Sequence, residues 1–179
     1  MKMFDTGTPV ALDGAWEFYW NRFIDPASFA DGGQPLPDAL AAFPAVWDDY
    51  GLDGVGQTGY ATWRLRLAGL AAGRAYGLKT SSFISAVAVY VNGELVQSHG
   101  WPGRSAQDEA PGWDSIVSPV IANPAGVVDI VIHASNWSDG KGGTRSSVFF
   151  GEYDDVMTSH ARAVARSEER RVGKECRSR

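Results

Sequence analysis

The residues best equipped for chemistry gather in two glycine-containing stretches, 100–114 and 136–146. Trp101, Trp113 and Trp137 lie in or beside them, together with Arg104, Arg145, Asn136, Asp139 and Asp114. An indole face stacks on the C–H face of a sugar ring or buries an apolar ligand. A guanidinium forks onto a carboxylate or phosphate with two parallel N–H donors. Asn136, Asp139 and Asp114 add donors and acceptors. This is the chemistry of recognition, placed on loops, where rigid scaffolds usually carry it. A competing reading makes the tryptophans lids over the open ends of a sandwich and pairs the arginines with nearby acids. For the cluster as a whole a ligand site is expected, with Trp101, Arg104, Trp113, Asn136, Trp137, Asp139 and Arg145 as its residues.

Catalysis finds less support. The sequence contains no G-x-S-x-G, H-E-x-x-H or G-x-x-x-x-G-K-[ST]. His99, His133 and His160 stand far apart, and His133, inside an alternating run, reads as a structural residue. Asp48-Asp49 and Asp154-Asp155 are sequence neighbours, which on an extended strand face opposite ways. Neither is a positioned acid/base pair of the glycosidase type. The run from Gly140 to Arg145 is glycine-rich and basic, without phosphate-loop spacing, and reads as a long hairpin or loop. Asp48, Asp49, Asp53 and Glu152 are oxygen donors of the kind calcium takes, but no EF-hand spacing joins them, so no metal is expected. No cofactor and no enzymatic activity are expected either.

The elements that must position these residues follow a period of two far more often than 3.6. Trp16 to Trp20 follows the turn Leu12-Asp13-Gly14. Between residues 60 and 67, Tyr60, Thr62, Arg64 and Arg66 fall on one face and Ala61, Trp63, Leu65 and Leu67 on the other. Residues 76–83, 86–90 running into 91–96, 116–121, 127–134 and 147–153 complete the predicted strands. Asn92-Gly93 between β-formers is a strong hairpin signal. Trp16, Trp20, Trp47 and Trp63 sit in or beside strands and are expected in the core. Helix is confined to one turn at 26–30 and a segment over 154–165 with Asp154 or Asp155 near its cap. Short strands punctuated by Gly, Pro and Asp predict an all-β sandwich with a short C-terminal helical segment.

The 179 residues suit one ordinary domain, and 44% hydrophobic with 12% aromatic residues supply a core. A net charge of −5 gives no support for nucleic acid as a partner. No apolar run approaches the roughly 20 residues of a membrane helix, and the start lacks the apolar stretch of a secretory signal. Residues 166–179 stand apart. They carry six of the 16 Lys/Arg and three of the 21 Asp/Glu, a net of +3 against −8 for the body. Their sequence, RSEERRVGKECRSR, resembles the in-frame translation of a common short-read sequencing adapter and is expected to be an artefactual or disordered tail. Cys176, the only cysteine, falls in it, so the body has no thiol chemistry. The expected organisation is a domain over 1–156, a linker over 157–165 toward a missing membrane helix, and the tail. Met3-Phe4-Asp5 is read as the stump of a truncated first strand.

Several segments resemble one family in order. Leu12 to Trp20 is similar to "L-x-G-x-W-E-F-Y-W", Phe43 to Trp47 to "V-P-G-x-W" with Ala45 in place of the glycine, and Gly59 to Leu65 to "G-x-A-T-Y-R-L". Val89 to Leu95 resembles "L-Y-V-N-G-E-L", Gly100 to Gly103 "G-x-V-G", and Ala134 to Trp137 with Gly142-Gly143 "V-S-N-F…G-G". The family is the extracytoplasmic sensor domain of bacterial seven-transmembrane receptors with diverse intracellular signalling modules. The resemblance covers about residues 10–165. It implies a galactose-binding-like jelly roll on the periplasmic face of the inner membrane, non-catalytic, that senses a small molecule such as a carbohydrate or carboxylate. It also implies a membrane partner through a downstream helical region, with kinase or cyclase modules beyond. The same opening and the hairpin recur in sugar-binding jelly rolls that precede glycoside hydrolase barrels. The alternative is therefore such a domain, or a free-standing carbohydrate-binding module. Ser159 to Ala165, similar to the segment leading into the receptor's first membrane helix, favours the receptor.

Overall fold

Period-two patterning becomes two antiparallel sheets in the computed structural model, which describes residues 7–29, 35–81 and 83–175. The strands are β1 (Val10–Ala11), β2 (Gly14–Trp20), β3 (Ala39–Phe43), β4 (Gly59–Leu67) and β5 (Ala75–Thr80). Then come β6 (Ala86–Val91), β7 (Glu94–His99), β8 (Ile116–Ile121), β9 (Val128–Asn136) and β10 (Phe149–Glu152), followed by helix α1 (Tyr153–Glu175). One sheet has the order β1-β10-β5-β8 and the other β3-β2-β4-β9-β6-β7. This is the two-sheet sandwich with a C-terminal helix that the sequence predicts.

The core lies between the sheets because each central strand turns its apolar set the same way. Ala61 and Trp63 of β4, Val87 and Val89 of β6, and Ile130, Ile132 and Ala134 of β9 are buried there. Trp63 is the hub, with ring centroids 5.5 Å from Phe18, 6.0 Å from Phe43, 6.1 Å from Trp47 and 6.2 Å from Phe83. Its indole N–H, which burial would otherwise strand, donates to Tyr50 Oη at 3.0 Å. Trp16, Trp47 and Trp63 are buried as expected, while Trp20 is partly buried against the core and donates from Nε1 to Gly54 O at 2.9 Å. At the edge where β7 and β8 meet, buried polar side chains join the sheets. Thr80 Oγ1 donates to Gln97 Oε1 and lies 3.0 Å from His99 Nε2, and Gln97 Nε2 donates to Leu78 O at 2.8 Å.

The β6–β7 hairpin turns at Asn92 (φ 51°) and Gly93 (φ 91°), the two positive φ values that an Asn-Gly hairpin turn supplies. Elsewhere the chain departs from local expectation. The strand expected over 76–83 stops at Thr80, and Phe83 turns into the core. Ala39–Phe43, whose small residues give no strand signal, is a strand because β2 pairs it in register from Gly14↔Phe43 to Phe18↔Ala39. Asp48 and Asp49 lie in a 3-10 turn, Trp47–Tyr50, and not on extended backbone. The single turn expected at 26–30 appears as Pro26–Phe29.

Helix α1 continues past Ala165 to Glu175. Its first turns seat on the outer face of the smaller sheet through Val156, which is fully buried. Glycines make that seat: a Cβ on Gly77 would lie 2.7 Å from Val156 Cβ, and one on Gly151 3.7 Å from Val156 Cγ2. Among the described residues no helix is long and apolar enough to cross a membrane. The first-strand expectation at Met3-Phe4-Asp5, and Cys176, lie outside the described residues.

Candidate functional site

Strands β6 and β9 pair side by side, Ala88 opposite His133 and Tyr90 opposite Val131. Since Val87, Val89, Ile130 and Ile132 face the core, Ala88, Tyr90 and His133 lie on the outer face of the larger sheet. The segment after β2 crosses this face. Thr62 Oγ1 donates to Arg22 O at 2.7 Å and accepts from Ile24 N at 3.1 Å. His133 Nε2 lies 2.8 Å from Ile24 O, so it carries the proton and donates, because a carbonyl only accepts. The imidazole stacks on Phe23 at 4.8 Å and tilts against Tyr90 at 4.9 Å. Burial, reinforced by Arg104 and opposed by the Ile24 carbonyl and Asp25, holds its pKa below the usual 6.5, so His133 is neutral at pH 7.

The 100–115 connection folds back over the same face. Trp101 and Ala110 exchange backbone hydrogen bonds of 2.7 and 2.9 Å. Gly100 (φ 70°) is needed there, since a Cβ would strike the carbonyl of Ala110 and the amide of Gly112. Glu109 anchors the loop. Its carboxylate accepts from Ser85 Oγ at 2.7 Å, Ser135 Oγ at 2.5 Å, Trp137 N at 3.2 Å and Ser138 Oγ at 3.3 Å. Gly103 N donates to Ser135 Oγ at 3.0 Å, and Trp137 Nε1 donates to Gly103 O at 2.9 Å.

Between loop, segment and sheet a crevice of about 360 Å³ remains open. Phe23, Tyr90 and His133 line one part, Trp101, Pro102 and Gly103 another, with Ala88, Arg104 and Asp108 completing the lining. Trp101 is 57% exposed, leaving an indole face available to solvent. Arg104 is exposed and enters no ion pair among the described residues. Asp108 Oδ2 accepts from Ser105 Oγ at 2.7 Å. Among the described residues, the assembly offers aromatic surface, one cation and one carboxylate on a braced loop.

Of the residues expected from sequence, Trp101 and Arg104 line this crevice, and Trp137 stands behind it, bonded to Gly103. Asn136 is buried, its amide donating to Gln57 O at 2.8 Å and Asp139 O at 2.9 Å while its oxygen accepts from Asp139 N at 3.0 Å. Asp139 Oδ1 receives Gly140 N at 2.7 Å, so this pair shapes the turn after β9. Trp113 is 62% exposed and Arg145 is exposed, and neither lines the crevice. The sequence pattern does not single out Phe23, Tyr90, Asp108 or Glu109, and it marks His133 only as a structural residue. Tyr90 and His133 carried a signal, as polar-tipped rings on strands whose other face is apolar; Phe23 carried none.

The outer face holds a second polar group, whose Arg64 and Asp129 line another crevice of about 380 Å³ with Phe29, Arg66 and Asn92. Arg64, 3% exposed, makes paired bonds to Asp129 of 2.8 and 2.7 Å, reaches Glu17 at 3.2 Å and lies 4.2 Å from the Phe29 ring centroid. Gly54-Val55-Gly56-Gln57-Thr58-Gly59 has G-x-G-x-x-G spacing but runs into β4 with no helix after it, so it lacks the helix N-terminus of a dinucleotide loop. Gly142 and Gly143 bring the 43–47 and 134–143 segments together, with bonds from Trp47 N to Gly142 O (3.0 Å) and Thr144 N to Ala45 O (3.1 Å). Among the described residues no group of three or more His, Cys, Asp or Glu is placed to hold a metal ion.

The sequence matches no protein-family profile and no curated protein. Solved structures do match. A β-glucuronidase from Ruminococcus gnavus in complex with D-glucuronic acid aligns with a TM-score of 0.59 at 18% identity, over 80% of this chain and 29% of that one. A β-glucuronidase from Faecalibacterium prausnitzii aligns with a TM-score of 0.56 at 18% identity, over 79% of this chain and 31% of that one. The chain thus spans less than a third of the length of those enzymes. What it shares with them is a fold, the two-sheet antiparallel β-sandwich of the galactose-binding-like jelly-roll kind.

Proposed function

We propose that this chain is a non-catalytic ligand-binding domain that serves as the extracytoplasmic sensor of a bacterial membrane-bound signalling receptor. Its small-molecule ligand, a carbohydrate or carboxylate, sits in the Trp101–Arg104 crevice. The observation that carries this reading is the crevice itself: an exposed indole, and a guanidinium with no ion pair among the described residues, on a loop that Glu109 pins to the sheet. Among the described residues Asp108 is the one carboxylate lining it, which favours recognition over the two-carboxylate chemistry of a glycosidase. Helix α1 seats on the opposite face of the sandwich, which suits a domain that takes ligand on one side and passes the change on from the other. Ligand then shifts the population of domain arrangements by its difference in affinity between them.

A second reading, the sugar-binding β-sandwich of a glycoside hydrolase or a free-standing carbohydrate-binding module, draws on the fold shared with the two β-glucuronidases. The coding sequence that follows this domain separates them. About 20 apolar residues there mark a receptor, and a further run of short strands marks a hydrolase. The binding claim is tested by thermal shift against sugars, nucleotides and carboxylates. A true ligand at about 100 times its Kd adds about 2.7 kcal/mol of stability, and Trp101→Ala removes that gain. A shift that persists in Trp101→Ala places the ligand elsewhere and overturns the site.

A further inference from the structure

We infer that the crevice selects a pyranose bearing a carboxylate, a hexuronate, over the matching neutral sugar. The inference rests on the crevice being the ligand site. Two ionic side chains line the space without pairing with each other: Arg104 and Asp108 are four residues apart, yet no ion pair joins them. The turn between them is fixed. Asp108 N and Glu109 N both donate to Ser105 O, at 3.1 and 3.2 Å, and Ser105 Oγ holds the Asp108 carboxylate at 2.7 Å. The loop therefore presents a cation and an acceptor as separate handles rather than as a self-neutralised pair.

Each handle fits one part of an acidic sugar. The guanidinium offers the bidentate donor fork that a carboxylate accepts. Asp108, acceptor-only when ionised, takes hydroxyl donors. The exposed Trp101 face, beside Tyr90 and Phe23, supplies the flat surface that the C–H side of a pyranose covers. A neutral sugar leaves Arg104 without a counter-charge. A phosphate dianion brings two negative charges near Asp108 where a uronate brings one, so its repulsion there is the greater. A simple aliphatic carboxylate satisfies Arg104 and leaves the indole face bare. One ligand class uses all three features.

Isothermal titration of the full chain at low salt compares D-glucuronate and D-galacturonate with D-glucose and D-galactose. Each uronate is expected to bind at least roughly tenfold more tightly than its neutral partner, in line with a charge-assisted hydrogen-bonded pair. Arg104→Gln is expected to erase that preference with an unchanged melting temperature, and Trp101→Ala to weaken both classes. Equal affinity for acidic and neutral sugars overturns the inference and leaves the sugar site standing. A uronate preference that survives Arg104→Gln overturns the role given to Arg104. Failure of all four sugars overturns the inference, while a Trp101-dependent thermal shift with another compound keeps the ligand-site reading.

Discussion

The two outer faces of this sandwich are covered in opposite ways. Over the smaller sheet, helix α1 presses a fully buried Val156 onto Gly77 and Gly151, at distances that leave no space for a side chain on Gly77. Over the larger sheet, the 21–29 segment and the 100–115 loop lie on aromatic and polar side chains: Phe23 on His133, Phe29 on Arg64, Glu109 on Ser85 and Ser135. Glycine against valine seats the helix by shape at Val156, with a groove of about 410 Å³ left beside it between residues 7–9 and the outer side of α1. Rings and hydrogen bonds prop the other cover away from the strands and leave a crevice, with a neutral imidazole at its base. One face is a seat and the other holds a crevice, because the sequence puts glycine outward on β5 and β10 and Tyr90, His133 and Arg64 outward on β6, β9 and β4.

The largest effects should come from strand β4, whose neighbours Trp63 and Arg64 serve opposite sides. Trp63→Ala removes the hub of the aromatic core and should cost about 4 kcal/mol in urea unfolding. Arg64→Ala leaves Asp129 and Glu17 facing each other without their cation and should cost about 3 kcal/mol, the lower end for a broken buried pair because both acids keep some solvent. Loss below about 1 kcal/mol for Arg64→Ala would show that the polar cover does not hold the open face. Gly77→Leu comes next, at about 2 kcal/mol, through overpacking against Val156. Its circular dichroism should lose helix signal while the strand signal stays, and unchanged helicity would break the contrast between the faces.

Acid should act more weakly and chiefly on the open face and the β7–β8 edge. Burial lowers the pKa of both His133 and His99 below the usual 6.5. The unfolded chain therefore binds more protons below that value, so stability is level above about pH 6.5 and declines as pH falls further. Melting temperatures between pH 8 and pH 5 should show this decline, and His133→Asn should flatten part of it. A profile that rises toward pH 5 would contradict the burial of both rings.

What was legible from sequence was what the chain fixes locally. Asn92-Gly93 predicts its hairpin because both residues tolerate the positive φ they adopt. Alternation sorts Thr62 and Arg64 from Ala61 and Trp63 correctly, because the period of two belongs to one strand. It does not show that Arg64 is buried, since Phe29 and Asp129 arrive from other elements. The crevice was half legible for the same reason. Trp101 and Arg104 share a loop, but Ile24 meets His133 across 109 positions, and Phe23 comes with it. Ala39–Phe43 was illegible as a strand because its pairing with β2 outweighs the weak preference of its small residues.

The smallest effect on stability should accompany the largest effect on function. Trp101→Ala truncates a ring that is 57% exposed and should change stability by no more than about 0.5 kcal/mol. The measurement that tests the central claim most directly is an amide chemical-shift titration of the ¹⁵N-labelled chain with D-glucuronate. The shifts should concentrate at Tyr90, Trp101, Gly103, Arg104, Asp108 and His133, spare the β5 and β10 positions under α1, and shrink in Trp101→Ala. Shifts centred on the helix-covered face, or an undiminished response in Trp101→Ala, would contradict the assignment of the open face as the binding site.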